Sequence, residues 1–366
     1  MKLVLCGDFV PTAATVPAFE AQDVGMLMGD TVDVVKSGDF AIANLECALT
    51  DTEGKTRKCG PNLKGKYCYS KVYKACGFTH LGLSNNHTMD FGIAGFRDTV
   101  KSVAEQGMIP FGYGENDQDS RKPLYIEKDG LKVAIIAVCE HEYSYALRDR
   151  FGANPFDPFD TMEDIALAKQ NADKVIVMYH GGKEQCEYPS PRLRKACRAM
   201  VRAGADVVLT QHSHCIGCRE TYKGGQIVYG EGNFNFVKYS DNPQWESGLM
   251  IVADIDKDVK LEFVPVVVND NGIELAKGDR KTEILEGFNA RSELIKDEDA
   301  WLKAWNDWCT DSARAYYVAA PAKAFAEIPE GEKCGQVFPH YLDCEAHLDV
   351  WKTLFLTWHA DKTSGA

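Results

Sequence analysis

The sequence lacks an apolar run of about 20 residues, the length that a helix needs to cross a bilayer, so no membrane span is expected. It also lacks an excess of positive charge, because 54 acidic residues outnumber 41 lysines and arginines and give a formal net charge of −13. A protein that binds nucleic acid by neutralising phosphates with a basic surface is therefore not expected. Internal repeats and low-complexity segments are absent from the sequence as well, which argues against a solenoid or a disordered linker.

The first residues lack the pattern of a secretory signal peptide. A short apolar run over residues 3–6 leads directly into Gly7-Asp8 without a small-residue cleavage site. The chain has 13 cysteines, an odd number, and several of them lie in apolar runs, which favours buried thiols in a reducing compartment. Together these features predict a cytoplasmic protein.

The 366 residues of the chain can bury a large core, and 45% of them are hydrophobic. Strand-like and helix-like segments alternate up to about residue 235, including a helix-like stretch at 20–36, and strand pairs follow. From about residue 280 the pattern is helical, with a Pro- and Gly-rich interruption from Pro321 to Pro339 and a final helix over residues 342–359. This order predicts an α/β domain over residues 1–275 and a C-terminal helical extension over residues 276–366 that packs on it. The oligomeric state is not predicted by any of these features.

Five apolar, strand-like runs each end on polar residues. Because sites in α/β proteins gather beyond the carboxyl ends of the strands, we expect these residues at one edge of the fold. Carboxylates, an amide oxygen and imidazoles are ligands of divalent ions, and a carboxylate can bridge a pair of ions. The pattern predicts a centre that holds one or two divalent ions, with Mn, Zn or Fe as candidates. The predicted metal ligands are Asp8, Glu46, Asn86, His180, His212 and His214.

The charge of this centre predicts the kind of substrate. Two divalent ions carry more positive charge than two carboxylates neutralise, and an anionic substrate would match the remainder. We therefore expect an anionic small molecule or polymer, with an ester or amide bond that is cleaved or held at the centre.

His87 and Asp90 are predicted to be catalytic. His87 directly follows the predicted ligand Asn86, and Asp90 lies three residues further on, where its carboxylate could orient the imidazole. Because the unperturbed pKa of His is near 6.5, the side chain suits a general acid that protonates a leaving group. The alternative is that His87 caps a helix or only supports the ligands.

Three more residues are predicted to contact the substrate: Lys183, Glu184 and Asn233. Lys183 lies three residues after His180 in a Gly-rich loop and could attract an anion. Glu184 could instead support His180 or be a solvated loop residue. Asn233 follows Gly232 and could donate a hydrogen bond to an anion, or it could belong to a tight turn.

Other charged residues and histidines have a plainer interpretation. The basic residues of the helix-like stretch 191–202 either draw in an anionic substrate or form a solvated surface. His141 and Glu142 end another strand-like run and are more consistent with structural roles than with substrate contact. We interpret the remaining histidines as structural: His80, His340, His347 and His359.

The motifs at these strand ends lie within residues 3–236. They are Gly7-Asp8, Asn44-Leu45-Glu46, residues 84–92, the loop from His180 to Glu184 with Pro189, residues 203–206, residues 211–214 and Gly232-Asn233-Phe234. In combination they resemble the CapA family, the poly-γ-glutamate capsule synthesis proteins, within the calcineurin-like metallophosphoesterase superfamily. The resemblance implies a four-layer αββα sandwich of metallophosphoesterase type, with the metal site above two facing sheets.

The resemblance also implies a division of the ligands. Asp8 and His214 would hold one ion, and Glu46 would bridge to the other. The second ion would be held by Asn86, His180 and His212.

Two departures from the superfamily pattern concern these ligands. Metallophosphoesterases generally open with Asp-x-His, but Val10 stands at the position of the His, so one site has one imidazole fewer. They also bridge with Asp where this chain has the longer Glu46, and CapA-type proteins look similar in both respects. The resemblance therefore implies a metal centre, but phosphatase activity does not follow from it directly.

Two functions are consistent with the sequence. The first is a metal-dependent hydrolase of CapA type that acts on an anionic ester or amide, either the γ-glutamyl amide of a poly-γ-glutamate-like polymer or a phosphoester. The alternative is a non-catalytic, metal-containing factor in the synthesis or export of an anionic, capsule-like polymer. The lack of a membrane-spanning run in the sequence weighs against a direct role in export.

Overall fold

A computed structural model describes residues 1–319 and 340–363, with side chains described through residue 354. The predicted Pro- and Gly-rich interruption, Pro321 to Pro339, lies outside the described residues, as does the side chain of His359. Within the described residues, no helix combines the length and the apolar character needed to cross a membrane.

The described strands and helices follow each other in the alternating order that the sequence predicts. The strands are β1 (Lys2–Phe9), β2 (Phe40–Leu45), β3 (Ala48–Leu49), β4 (Lys64–Gly65), β5 (His80–Gly82), β6 (Ile109–Phe111), β7 (Tyr113–Gly114), β8 (Leu124–Lys128), β9 (Leu131–Cys139), β10 (Gly152–Ala153), β11 (Lys174–His180), β12 (Val207–Gln211), β13 (Ile216–Tyr222), β14 (Gly225–Glu231), β15 (Asn233–Asn235), β16 (Ser247–Ile255), β17 (Val259–Val268) and β18 (Ile273–Leu275). The α-helices are α1 (Val16–Ala21), α2 (Val24–Met28), α3 (Thr31–Lys36), α4 (Ser70–Cys76), α5 (Gly92–Glu105), α6 (Asp117–Ser120), α7 (Asp160–Asn171), α8 (Pro191–Ala203), α9 (Gly278–Leu294), α10 (Glu298–Trp308) and α11 (Glu345–Thr363).

Two mixed sheets form the centre of the fold. The first has eight strands in the order β18-β17-β16-β1-β2-β5-β6, with β15 paired to the end of β1. The second has six strands in the order β13-β14-β12-β11-β9-β8. In the first sheet β1, β2, β5 and β6 are parallel. In the second sheet β9, β11, β12 and β14 are parallel, so each sheet has a block of strands whose carboxyl ends share an edge.

Alternation along the strands divides the core into three parts. On β1, Leu3 and Leu5 face the second sheet, whereas Val4 packs on the opposite side with the helices that cover the first sheet. On β9, Ile135 faces the first sheet and Ile136 packs against α7 and α8. One apolar core therefore lies between the sheets and one lies outside each of them. This is the four-layer αββα arrangement, and the predicted fold class is confirmed.

The helical segment that follows the sheets packs on the same core. Ile284 and Phe288 of α9 join the cluster between the sheets, and Trp301 of α10 joins the cluster outside the second sheet. A separate cluster holds Trp305 of α10, Tyr317, and Val350 of α11. The division at residues 275 and 276 stays a prediction, but the C-terminal helices are attached through apolar contacts of this kind.

Candidate metal centre

The parallel strands of both sheets bring the predicted ligands to one place. Asp8 lies at the end of β1 and Glu46 directly follows β2, both in the first sheet. His180 ends β11 of the second sheet, and His212 directly follows β12. The six predicted ligands are all buried, with Asp8 and Glu46 fully excluded from solvent. The predicted gathering at one edge is therefore what the fold produces.

His180 stands at the middle of this group. Its Nε2 lies 3.0 Å from Oδ1 of Asn86 and 3.3 Å from Oε1 of Glu46. Its Nδ1 lies 3.1 Å from the amide nitrogen of Asn44 and 3.6 Å from Oδ1 of Asp8. An imidazole nitrogen that faces both a carboxylate and an amide oxygen is arranged as one ligand among others around an ion.

Glu46 gives the clearest test of whether a metal ion fits. Both of its carboxylate oxygens are buried, and neither has a hydrogen-bond partner. Burial, and then the neighbouring Asp8 carboxylate, raise the pKa of Glu46 well above its usual value. A buried carboxylate without donors is costly unless a cation pairs with it. The residues present therefore fit a divalent ion beside Glu46.

A turn after β12 directs two histidines toward Glu46. His212 and His214 both have positive φ angles, 81° and 51°, which is uncommon for residues other than glycine. Residues two apart already share a face in a regular strand, and this turn beyond β12 keeps both side chains on one side. One ring nitrogen of each histidine lies with Glu46 in a group whose ligand atoms are all within 4.8 Å of one another.

Hydrogen bonds and burial prepare these histidines for ligation. Nδ1 of His214 lies 2.9 Å from Oδ1 of Asn233, which accepts its proton and leaves Nε2 available. Nδ1 of His212 is buried and has no hydrogen-bond partner. Burial lowers the pKa of His180 and lowers that of His212 to about 4, so both rings are neutral, as metal ligation requires. Asn233, predicted to contact substrate, lies against His214.

His87 and Asp90 lie beside the centre in direct contact. Nδ1 of His87 is 2.6 Å from Oδ2 of Asp90. The ammonium of Lys58 forms a buried ion pair with Asp90 and lies 3.2 Å from Nδ1 of His87. Burial, and then Lys58, lower the pKa of His87 to about 4, although Asp90 opposes the shift. The imidazole is therefore neutral near pH 7, unlike the partly protonated ring that the unperturbed pKa suggests.

The centre opens into a cavity of about 590 Å³. Asn86, His87, Lys183 and Glu184 all line it. The opposite wall comes from the C-terminal segment, which contributes side chains that include Tyr317, His340 and His347. Glu184 lies at the edge of the ligand group, with Oε1 3.9 Å from Nε2 of His212. The predicted substrate residues Lys183 and Glu184 thus lie in a space beside the metal ligands.

Asn44 was not predicted to be a site residue, but it contacts Asp8 of the first sheet and His180 of the second at the centre. Its amide nitrogen donates to Oδ1 of Asp8 over 2.7 Å, and its amide oxygen accepts from Asn85 over 2.9 Å. The available signal was its place in the Asn44-Leu45-Glu46 segment at the end of β2. Its role is to fix the orientation of ligands rather than to bind the ion.

Glu142 also belongs to the site, whereas its neighbour His141 does not. Oε2 of Glu142 accepts a hydrogen bond of 2.6 Å from the amide of Asn86. His141 turns away and pairs with Glu345 of α11, 2.7 Å apart. Glu142 thus supports the predicted ligand Asn86 and lines the cavity, whereas His141 has the structural contact that was expected of it. The only signal for Glu142 was its position just after β9.

The basic residues of α8 are used inside the fold. Arg192 pairs with Asp349 of α11 over 2.9 Å, and Arg194 pairs with Glu298 of α10 over 2.9 Å. Arg198 pairs with Glu220 over 2.6 Å. These arginines neither form a freely solvated surface nor attract substrate, because their ion pairs connect α8 to the C-terminal helices and to β13. Lys183, which lies before α8 and was predicted separately to attract an anion, lines the cavity.

Comparison with known proteins finds a family model and similar sequences. A family model described as "Bacterial capsule synthesis protein PGA_cap" matches residues 2–238. The capsule biosynthesis protein CapA of Bacillus anthracis is 34% identical over 211 residues, covering 55% of this chain and 51% of that protein. The PGA biosynthesis protein CapA of Bacillus subtilis (strain 168) is 36% identical over 207 residues, covering 56% of this chain and 54% of that protein. The match thus spans about half the length of these relatives.

Solved structures are similar to this chain at lower levels. A hypothetical protein from Thermus thermophilus has a TM-score of 0.48 and 13% identity, covering 76% of this chain and 100% of that one. A putative 5'-nucleotidase from Staphylococcus aureus, in complex with alpha-ketoglutarate, has a TM-score of 0.47 and 15% identity, covering 79% of this chain and 58% of that one. Since the family model spans residues 2–238, which hold all six predicted ligands and more than half of the sequence, this chain belongs to the bacterial capsule synthesis protein PGA_cap family.

Proposed function

We propose that the chain is a metal-dependent hydrolase that cleaves an ester or amide bond in an anionic substrate. The γ-glutamyl amide of a poly-γ-glutamate-like polymer is the substrate we favour, and a phosphoester is the other candidate. The observation that supports this most strongly is the buried, unpartnered Glu46 carboxylate among Asp8, Asn86 and three histidines, beside a cavity that Asn86 lines. The proposal places this activity in the cytoplasm, as the sequence predicts.

The ligands would hold one or two ions of Mn²⁺, Zn²⁺ or Fe. A divalent ion there supplies positive charge that polarises a carbonyl or phosphoryl oxygen. Asp8 and Glu46 would bind it as anions, while His180 and His212, neutral because they are buried, would bind it through ring nitrogens. Asn44 and Asn233 hold these ligands in place through hydrogen bonds to Asp8 and His214.

The cavity fits an extended anionic molecule. Lys58 and Lys183 place two ammonium groups along its lining, and Tyr143, Tyr316 and Tyr317 add aromatic surface. Such a mixture of a few charged groups on an aromatic wall binds carboxylates or phosphates and orients them. The overall charge of −13 would repel these substrates, so local cations are needed at the entrance.

The names of the relatives also support a role with glutamate polymers. Both Bacillus proteins are named for capsule or PGA biosynthesis, and a Mycobacterium tuberculosis relative, 30% identical over 164 residues, is named a probable polyglutamine synthesis accessory protein. The second candidate function, a non-catalytic metal-containing factor in polymer synthesis or export, is favoured by these names and by Val10, which stands where metallophosphoesterases have a ligand His.

We expect turnover that depends on added metal. The full chain, stripped with chelator and reloaded with Mn²⁺, should cleave a γ-linked glutamate oligomer, measured as new amino groups, or bis-nitrophenyl phosphate, measured as nitrophenolate. Asp8→Asn, which removes one anionic ligand, should lower either rate by at least about 10²-fold, on the order of losing a charge-stabilising group. If the loaded protein binds the oligomer but cleaves it no faster than the metal-free protein does, the hydrolase is contradicted and the non-catalytic factor is supported.

Lys183→Ala should weaken the dependence of catalysis on salt. If the Lys183 ammonium draws in an anion, then kcat/KM of the wild type falls as ionic strength rises, and the variant shows a flatter slope. Lys195→Ala is the matched control, because Lys195 is an exposed residue of α8 that does not line the cavity. Equal efficiency on a neutral substrate and its carboxylated or phosphorylated analogue, with no effect of salt on either, would contradict this role.

A further inference from the structure

A second group of ligand-type side chains lies on the cavity wall, apart from the six predicted ligands. It consists of Glu142, which follows β9, and His340 and His347 from the C-terminal segment. The two Nε2 atoms of the histidines lie 2.9 Å apart. Oε1 of Glu142 lies 3.4 Å from Nε2 of His340 and 3.9 Å from Nε2 of His347. All three side chains are at most 10% exposed.

The two shorter distances, 2.9 and 3.4 Å, are close to the spacing of ligands around one ion, and the third, 3.9 Å, is somewhat longer. Atoms at about 2.0–2.2 Å from a common ion lie roughly 3–3.6 Å from each other in tetrahedral or octahedral arrangements. The contacts of Glu142 Oε1 are longer than a hydrogen bond between nitrogen and oxygen, whose donor and acceptor are about 2.7–3.2 Å apart. A chain of hydrogen bonds through the two histidines would therefore leave Oε1 of Glu142 without a partner. An ion between the three atoms would be bound by this oxygen.

The surroundings support ligation by both histidines. The hydroxyl of Tyr317 lies 2.5 Å from Nδ1 of His347, where it can accept the proton of that nitrogen and direct Nε2 toward Glu142. The ring of Tyr143 stacks on His340 at a centroid distance of 5.3 Å and fixes its plane. Burial is the first cause that lowers the pKa of both histidines, so the rings are neutral and can offer lone pairs.

Glu142 links this group to the metal centre. Its other oxygen, Oε2, accepts from the amide of Asn86, whose own oxygen faces His180. The charge of Glu142 offsets part of a cation's charge, and Glu184 adds a second carboxylate nearby. Lys183 opposes a cation, because its ammonium lies 5.9 Å from the Tyr317 ring. That opposition predicts an affinity below that of the main centre.

We propose that Glu142, His340 and His347 form an additional site for a divalent ion, separate from the main centre. Two imidazoles and one carboxylate form a ligand set that suits Zn²⁺ with one open position. The three residues line the cavity, so this open position faces the space where a substrate would bind. The ion would attach the C-terminal segment to the end of β9 and offer an anchor for a carboxylate of the substrate.

The test counts ions by native mass spectrometry on the full chain. Metal-stripped wild type and His340→Gln/His347→Gln are titrated with Zn²⁺, and the double variant should take up one ion fewer. His212→Ala/His214→Ala should lose ions of the main centre and keep this one, so the two sites can fail independently. His141→Gln is the matched control, because His141 contacts Glu345 of α11 without belonging to the group, and it should keep the wild-type count.

An equal ion count in the wild type and in His340→Gln/His347→Gln would overturn the proposal. An equal loss in His141→Gln would also overturn it, because loosening of α11 would then explain the result. Near-ultraviolet circular dichroism checks the fold of the double variant. If it is unfolded, the single variant His340→Gln replaces it and should weaken binding of the last Zn²⁺ by at least about 10-fold, the usual order for losing support at a metal site. Unchanged affinity in that folded variant would refute the site.

Discussion

Replacing both His212 and His214 with Ala should remove metal from the main centre and lower the thermal stability at the same time. Ligation by the folded state alone stabilises it by RT ln(1 + [L]/Kd), which is about 2.7 kcal/mol when the free ion is at 100 times its Kd. The variant loses this contribution along with two of the six predicted ligands. Metal content by elemental mass spectrometry and Tm by calorimetry, each with and without chelator, measure the two effects.

The matched control is His80→Ala. His80 is also buried in a strand, but it lies in β5 beside Thr79, away from the ligand group. We expect this variant to keep its metal. Its Tm should fall when chelator is added, as that of the wild type does. The double variant should show no further loss with chelator. An unchanged metal stoichiometry in His212→Ala/His214→Ala would refute the assignment of both histidines, whatever happens to Tm.

The gathering of the predicted metal ligands at one edge of the fold could be predicted because it follows a local rule. An apolar run predicts a buried strand, and its carboxyl end is visible in the sequence as the first polar residues after the run. Asp8 and His180 end such runs, and Glu46 and His212 directly follow them. Parallel pairing of neighbouring strands then places these ends side by side without further information.

The partners of the ligands were not predictable, because they depend on contacts between distant segments. Asn44 reaches His180 across 136 residues, and Lys58 lies in a loop with no strand or ligand pattern around it. His340 and His347, interpreted as structural, lie 3.4 and 3.9 Å from Oε1 of Glu142, because the C-terminal segment comes to the end of β9. No periodicity in the sequence encodes that packing.

Local chemistry also limits the prediction of helices. The helix-like stretch 20–36 is three short helices in the structure, because Gln22 and Gly29 have positive φ angles of 53° and 48° and interrupt it. Asp23 caps the second helix by accepting from the backbone of Met26. In contrast, α8 begins at Pro191 after the Ser190 cap, as its sequence predicts. Both the capping residue and Pro at the first turn mark the same starting point.

The structure changes the chemical role expected of His87, although its catalytic assignment stays a prediction. A general acid must hold a proton at the working pH, but burial and Lys58 lower the pKa of His87 to about 4. The contact of Nδ1 with Asp90 keeps the remaining proton on that nitrogen, so Nε2 is an acceptor. A neutral ring that lines the cavity beside the predicted ligand Asn86 is suited to accept a proton from an attacking water, as a general base.

His87→Ala should keep the metal and lose about 10²–10⁴ in kcat, the usual contribution of a positioned acid or base. The choice of leaving group separates the two roles. A general acid is dispensable for a nitrophenyl group, which departs without a proton, whereas a general base is needed for both activated and unactivated substrates. Because Nδ1 of His87 is bound to Asp90 and the pKa of His87 is low, we expect the loss with both substrates.

Asp90→Asn is the matched variant. It keeps the size of the side chain but weakens the orientation of the His87 ring, so it should lose part of the rate while keeping the metal. Loss of metal from His87→Ala would make His87 a ligand, and an unchanged rate on the unactivated substrate would refute a catalytic role.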